Sequence, residues 1–233
     1  MKKEQTVDDH PDSVVDTISS TEKLLAHVVT PQLPWRIHGY DVEHDLARHY
    51  SLLETFLLAF TGEIAPENYG RALEIALIFL SPKSVAHDST HAGILTQVIG
   101  ASPSPILSTT LMILTEEAQD LIKRHELLLN LLNQEELNYL PEEFQTEDAQ
   151  ERASVERLAL ALEETGITLP FKEFSRDAAL LYTLHRVGLK TPLQLCSVIV
   201  LSRLPAIVAE VGYWQKGKLE NYPMKLPNFR YED

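Results

Sequence analysis

Apolar residues recur at every third or fourth position through most of the chain, which is the spacing of amphipathic α-helices. The pattern predicts helices over 13–28, 42–49, 52–60, 66–80, 88–99, 106–132, 153–165, 176–187 and 192–214. The strict alternation typical of half-buried strands is nearly absent, and only Trp35 to Tyr40 is predicted to be extended. The sequence therefore predicts an all-α fold.

Local start and stop signals support these boundaries. Ser51 and Glu54 have the spacing of a capping box, and Thr191 and Gln194 repeat that spacing before the last long helix. Gly62 stands where the first of these two helices is expected to end, because glycine accepts the left-handed conformation common after a helix.

The same patterns divide the chain into one helical domain with three less regular segments. Residues 1–12 are expected to be a disordered acidic arm, and 215–233 a tail that wraps the surface. The domain is predicted to run over 13–132 and to resume over 153–214. Between these parts, the acidic stretch 133–152 is predicted to be an exposed excursion.

Composition and charge narrow the classes of partner. The chain has 233 residues, of which 44% are hydrophobic, and its formal net charge is −14. This apolar content is sufficient for a core, whereas the negative surface disfavours binding to nucleic acid or to anionic lipid. The single cysteine, Cys196, excludes an internal disulfide and a cysteine-rich metal site, and its apolar neighbours indicate a small core residue.

No segment has the pattern of a membrane anchor. The most apolar stretch, 195–214, contains Arg203, Pro205 and Glu210, which indicates a buried helix rather than a membrane span. The polar N-terminus lacks the apolar run of a secretory leader. The expected location is therefore the cytoplasm.

Two residues on predicted helices carry candidate carboxylate chemistry. Arg203 lies in an otherwise apolar helix, so a buried guanidinium there needs either an internal carboxylate such as Asp177 or the carboxylate of a bound ligand. Asp177 opens its helix, and it is read either as an ordinary capping residue or as a base that takes a proton from the carbon next to a thioester.

Three histidines are candidates for metal binding or catalysis. His87 and His91 have the i,i+4 spacing of a metalloprotease pair, but Asp88 replaces the usual Glu and no third ligand follows. We therefore predict no metal site and assign the pair to a polar pocket wall. His125, in a charged helical turn, is predicted to be an exposed surface residue.

Four longer stretches carry recognisable motifs in a fixed order. They are 36–41 with 50–64, then 89–102, 177–189 and 202–210. They resemble the "R-G-Y-D", "N-A-S-T", "V-D … L-G-L" and "A-R-L-P-G" segments of the citrate synthase family, which includes the citryl-CoA lyases. The resemblance implies a large helical domain, a dimer built on helices, and CoA or acetyl-CoA as a substrate with no covalently bound cofactor.

The resemblance also assigns site residues and marks what is missing. Asp177 matches the family's catalytic base and Arg203 a substrate-carboxylate arginine, with His87, Ser89 and His91 beside the same pocket. The family's "H-G-G" and "G-F-G-H" loops are absent from this sequence, and a third family histidine falls on 83–84. The small domain is expected to be truncated or absent.

These observations favour one function and leave two alternatives. The preferred interpretation is a pseudoenzyme that binds a di- or tricarboxylate or a CoA-type ligand in a regulatory or accessory role. The first alternative is an active citryl-CoA lyase or acyltransferase that uses Asp177 with His87, His91 or His125 as a substituted histidine. The second is a helical interaction scaffold that docks through 133–152. The expected partners are a second copy of the chain or a full-length family member that supplies the missing residues.

Overall fold

The structure is a computed structural model, and it describes residues 26–135 and 137–214. The predicted acidic arm 1–12, most of the predicted helix 13–28 and the predicted tail 215–233 lie outside the described residues.

A small hairpin opens the described chain. Strand β1 (Arg36–Ile37) pairs antiparallel with β2 (Tyr40–Asp41), and His38 and Gly39 make the turn with positive φ. The Asp41 carboxylate accepts the N–H groups of the following turn, which caps a π-helical segment (Val42–Leu46) that continues as α1 (Ala47–His49). The extended and helical predictions for this region are both confirmed.

The next two helices pack against each other as a helical hairpin. Helix α2 (Leu52–Thr61) has the predicted capping box, and Gly62 ends it in the left-handed conformation. Helix α3 (Tyr69–Leu80) begins three residues after the predicted start at Pro66, because Asn68 takes a left-handed conformation just before it.

Helix α4 (Asp88–Val98) follows, close to its predicted bounds. The prediction of a single helix over 106–132 is wrong, because two helices occupy that region. Helix α5 (Pro103–Arg124) is separated from α6 (Glu126–Asn133) by the non-helical backbone of His125. The His125 Nδ1 lies 2.9 Å from the Leu121 carbonyl oxygen, and its ring stacks on Phe144 at 5.4 Å. The break therefore has a packed side chain at its centre.

The acidic segment 133–152 packs against the domain more closely than an exposed excursion would. The carboxylates of its middle part face solvent, but Leu140, Phe144 and Thr146 are buried. Phe144 ends a 3-10 turn (Glu142–Phe144) and is only 2% exposed. Burial of these side chains holds the segment on the core.

Three helices complete the described part of the chain. Helix α7 (Ala149–Leu162) starts at an Asp148 cap, earlier than predicted, and ends in a 3-10 turn (Glu163–Thr165). Helix α8 (Arg176–Arg186) is capped by Ser175, and α9 (Pro192–Tyr213) has the predicted capping box from Thr191.

Two apolar clusters hold the helices together. The larger one unites α3, α5, α6, α7 and α8 with the first half of α9, and Leu73, Leu158 and Leu180 within it are fully buried. The smaller one joins α4, α5 and the second half of α9 through Ile94 and Ile207. The all-α prediction is confirmed.

Helix α9 is long and apolar enough, by length and composition alone, to cross a membrane. In the fold, however, it packs against α3, α4 and α5, and it carries the buried Arg203 at its centre. Part of its surface remains exposed and apolar, including Leu193, Leu201, Val208 and Tyr213.

Candidate functional site

A cleft of about 490 Å³ opens where α3 ends, α4 and α8 begin, and α5 and α9 pass by. Its lining is mostly charged. The cationic members are Lys83, Arg124, Arg176 and Arg203, and the anionic members are Asp88, Glu117 and Asp177. The remaining lining includes His87 and Leu121. Three of the residues singled out in the sequence, Arg203, Asp177 and His87, therefore meet in one cleft.

Arg203 is the most deeply placed charge in the cleft. It is 8% exposed, and its Nε donates to the Leu80 carbonyl oxygen at 3.3 Å. Among the described residues it has no carboxylate within 4.0 Å. Burial lowers the pKa of its guanidinium, and the more distant carboxylates of Asp177 and Glu117 oppose this shift. A buried cation without a close counter-charge is unfavourable unless a ligand supplies one.

Glu117 forms an ion pair and a backbone hydrogen bond at the wall of the cleft. Its Oε2 lies 2.8 Å from Lys83 Nζ, and its Oε1 accepts the Ser89 N–H at 3.0 Å. Burial acts to raise the pKa of this carboxyl, but the bonds from Lys83 and Ser89 outweigh it and leave the pKa below its ordinary value. Glu117 is therefore ionised at neutral pH, and it holds Lys83 in place.

The start of α8 places a cation and an anion side by side. The Arg176 side chain donates to the Phe79 carbonyl oxygen, and its backbone N–H donates to Glu151 Oε1 at 2.8 Å. Asp177 follows in the first helical turn, is half-buried and lines the cleft. In the described chain neither residue forms an ion pair within 4.0 Å. Both groups remain available to a ligand.

The other predicted site residues contribute less to the cleft. His87 lines the cleft but is exposed, and it occupies the N-cap position of α4 without a capping side-chain hydrogen bond. Its Nδ1 lies 3.3 Å from the Ser84 hydroxyl oxygen. Ser89 is fully buried and reaches the site only through its N–H bond to Glu117. His91 is half-buried and does not line the cleft. Within 26–135 and 137–214, no group of three or more His, Cys, Asp or Glu is placed to hold a metal ion.

Two further predictions have clear outcomes. The prediction that His125 is exposed is wrong, because the residue is 8% exposed and its ring stacks on Phe144. The sequence pattern could not predict the burial of His125, because its neighbours in the sequence are charged and its side chain turns inward only at the helix break. Cys196 is buried as predicted, and burial raises the pKa of its thiol, with a smaller contribution from Glu116 in the same direction.

The sequence reading missed Lys83, Glu117 and Arg176. Lys83 follows Pro82 in a loop, and Glu117 is one of many acidic residues on a helix, so neither has a local signal. Arg176 directly precedes Asp177, and this adjacency to a candidate site residue is the only sequence feature that could have marked Arg176 as part of the site.

Known proteins resemble this chain in fold but not detectably in sequence. No protein-family model matches the sequence, and no curated protein matches it significantly. Among solved structures, citryl-CoA lyase from Hydrogenobacter thermophilus superposes with a TM-score of 0.64 at 13% sequence identity. That alignment covers 91% of this chain and 97% of the lyase, so the two chains are similar in extent.

Two ATP citrate lyase structures also match. The enzyme from Methanosaeta concilii, a mutant in complex with citryl-CoA, superposes with a TM-score of 0.56 at 11% identity. The enzyme from Methanothrix soehngenii, in complex with citrate and coenzyme A, gives 0.52 at 11% identity. Each alignment covers 98% of this chain but only 46% of the lyase. The chain therefore has the citrate-synthase-like helical fold of these lyases.

Proposed function

We propose that this protein binds a di- or tricarboxylate in the cleft around Arg203, in a regulatory or accessory role. The observation that carries the proposal is the buried Arg203 guanidinium, which lines an open cleft without a carboxylate within 4.0 Å in the described chain. A ligand carboxylate would supply the missing charge and accept the paired N–H donors of the guanidinium.

The distribution of charge in the cleft supports more than one ligand carboxylate. Lys83 is held by Glu117 at 2.8 Å, and Arg124 is paired with Asp120 at 3.0 Å. Arg176 and Arg203 have no such ion pair among the described residues. Two guanidinium groups facing one cleft match two carboxylates of one small molecule.

The test is ligand-induced stabilisation of the purified protein by citrate, oxaloacetate, CoA and acetyl-CoA, each added separately. A ligand at 100 times its Kd stabilises the fold by about 2.7 kcal/mol, which gives a clear rise in Tm. We expect a rise with citrate or oxaloacetate that Arg203→Met abolishes. Arg157→Met is the matched control, because Arg157 is exposed on α7. An equal rise in Arg203→Met and in the unaltered protein would refute the proposal.

A second candidate is an active citryl-CoA lyase or acyltransferase. It is favoured by Asp177, which lines the same cleft as Arg203. In this scheme the bond between the carbinol carbon and the carbon next to the thioester breaks, a histidine such as His87 takes the hydroxyl proton, and protonated Asp177 gives its proton to the enolate carbon. In the reverse, condensing direction the Asp177 carboxylate is the base at that carbon, and Arg203 holds a carboxylate of the substrate in both directions. The solved neighbours that hold citryl-CoA, or citrate with coenzyme A, support a CoA-type ligand for this scheme.

One substitution separates the two candidates. Asp177→Asn removes a negative charge from the cleft, so a carboxylate-binding protein should bind citrate more tightly, by several-fold, with no turnover in either form. An enzyme that uses Asp177 as its base should instead cleave citryl-CoA before the substitution and lose that activity after it. A protein with no response to any of the four ligands would support the scaffold alternative.

A further inference from the structure

A second cleft, of about 580 Å³, lies at the junction of α5 and α6 and extends to the start of α9. Its apolar lining includes the buried side chains of Ile122, Leu129 and Cys196 together with Leu193. Leu193 lies on the first turn of α9 and is 77% exposed, so its apolar surface is open to a ligand. An apolar depression of this size is typical of a small-molecule site.

The break at His125 lies between two stretches that line this depression. Helix α5 ends at Arg124 and α6 begins at Glu126, and both helices contribute lining residues. The break is fixed from the other side by the stacking of His125 on Phe144. The cleft is therefore part of the packed fold.

Two lysines stand at the rim of this apolar floor. Lys123 comes from the last turn of α5, and Lys190 directly precedes the Thr191 cap of α9. Within the described residues, neither lysine has an ion pair within 4.0 Å. One carboxylate, that of Glu126, also lines the cleft, so the rim is net positive in a chain whose net charge is −14.

We infer that this second cleft binds a fatty-acid-type ligand, with its apolar chain against Ile122, Leu129 and Leu193 and its carboxylate between Lys123 and Lys190. The apolar surface contributes affinity through burial of the chain, and the two ammonium groups select an anionic head. The rim amides of Gln119 and Asn130 offer further donors to the carboxylate.

This site is separate from the Arg203 cleft. Leu121 and Arg124 face the first cleft, whereas Ile122 and Lys123 face the second, so the two clefts lie on different sides of the last turn of α5. The inference does not depend on the function proposed for the first cleft. A polycarboxylate such as citrate, which has no apolar chain, should not compete for the second.

The sole cysteine of the chain gives a direct readout of occupancy. Cys196 lines the second cleft, and burial raises the pKa of its thiol, so alkylation is measured at mildly alkaline pH by intact mass. We expect decanoate, kept below its micelle concentration, to slow the alkylation of Cys196 at least fivefold. Decan-1-ol, which lacks the charge, should protect tenfold less well, and citrate should not protect.

Variants on the rim test the assigned contacts. The double variant Lys123→Gln with Lys190→Gln should weaken decanoate binding, measured by calorimetry, at least tenfold. Lys172→Gln is the control, because Lys172 is exposed and outside the cleft. Leu193→Glu, at an exposed position, should also abolish protection without affecting folding.

Unchanged alkylation with decanoate, or equal binding by the double variant and Lys172→Gln, would overturn the inference. Protection that depends only on protein concentration would also overturn it, since the cleft would then be an interface between protein chains.

Discussion

Replacing Arg203 by methionine should leave the ligand-free protein as stable as before or more stable, while it removes ligand binding. The guanidinium is 8% exposed, and no carboxylate lies within 4.0 Å of it among the described residues. Its charge therefore carries a desolvation cost of several kcal/mol that distant Asp177 and Glu117 offset only in part. Methionine has a similar length and carries no charge.

The opposing term is the hydrogen bond from Arg203 Nε to the Leu80 carbonyl oxygen. Its loss costs about 1 kcal/mol, because that oxygen lies at the end of α3 in a poorly hydrated place. Removing the buried charge recovers about 1–4 kcal/mol. We therefore expect the free energy of unfolding of ligand-free Arg203→Met to be unchanged or higher by up to about 3 kcal/mol.

Urea unfolding followed by circular dichroism, with and without citrate, measures both effects. The added stability of about 2.7 kcal/mol at 100 times the Kd should be present in the original protein and absent from the variant. Arg203→Lys should keep the cost of burial but lose most of the binding, because an ammonium does not reproduce the paired donors of a guanidinium. If ligand-free Arg203→Met were destabilised by more than about 3 kcal/mol, Arg203 would be a structural residue and the reasoning would be refuted.

Three further substitutions test the packing and the charges. Burial lowers the pKa of His185 from 6.5 to about 4, so the free energy of unfolding should fall by up to about 3 kcal/mol as the pH drops from 6.5 to 4. In urea titrations His185→Gln should flatten this pH dependence, whereas the control His49→Gln, at a surface position, should leave it unchanged. Gly93→Ala should lower the free energy of unfolding by about 1–3 kcal/mol, because its Cβ would lie 2.6 Å from the Thr110 hydroxyl and 2.7 Å from a Val211 methyl. Gly212→Ala is the control and should raise Tm slightly, because its Cβ would meet nothing within 4 Å. Equal effects of the two variants would contradict the close approach of α4 to α5 and α9. Glu117→Gln should lower the free energy of unfolding by about 2 kcal/mol and tighten citrate binding several-fold, since it frees the paired lysine, and calorimetry showing weaker binding would contradict this.

The helices were predictable because their signals are local. Ser51 with Glu54 and Thr191 with Gln194 both form the capping boxes read from the sequence. The break at His125 was not predictable, because helical periodicity continues on both sides of it. Its cause is the packing of the His125 ring on Phe144, a contact with the acidic segment that no local pattern reports.

The site was predictable only for residues whose type is unusual in its setting. Arg203 was found because a charge in an apolar helix needs a partner, and the structure places Asp177 in the same cleft. Lys83 and Glu117 were missed because their ion pair joins a loop to the second half of α5. Such pairings depend on tertiary contacts, so neither residue looks special in the sequence.

The Lys83–Glu117 pair is the physical reason for which we propose binding rather than catalysis. Chemistry next to a thioester develops negative charge on an oxygen, and a catalytic site stabilises that charge with donors or cations. In this cleft the nearest ammonium, Lys83, is already held by Glu117, whose pKa is lowered so that it stays ionised at neutral pH. The ionised Glu117 carboxylate opposes any anion in the cleft. A bound carboxylate would have Arg176 and Arg203 as partners, since neither forms an ion pair among the described residues, whereas a developing enolate oxygen would have to compete for Lys83. On this ground we propose carboxylate binding, and turnover of citryl-CoA by the purified protein would refute the reasoning.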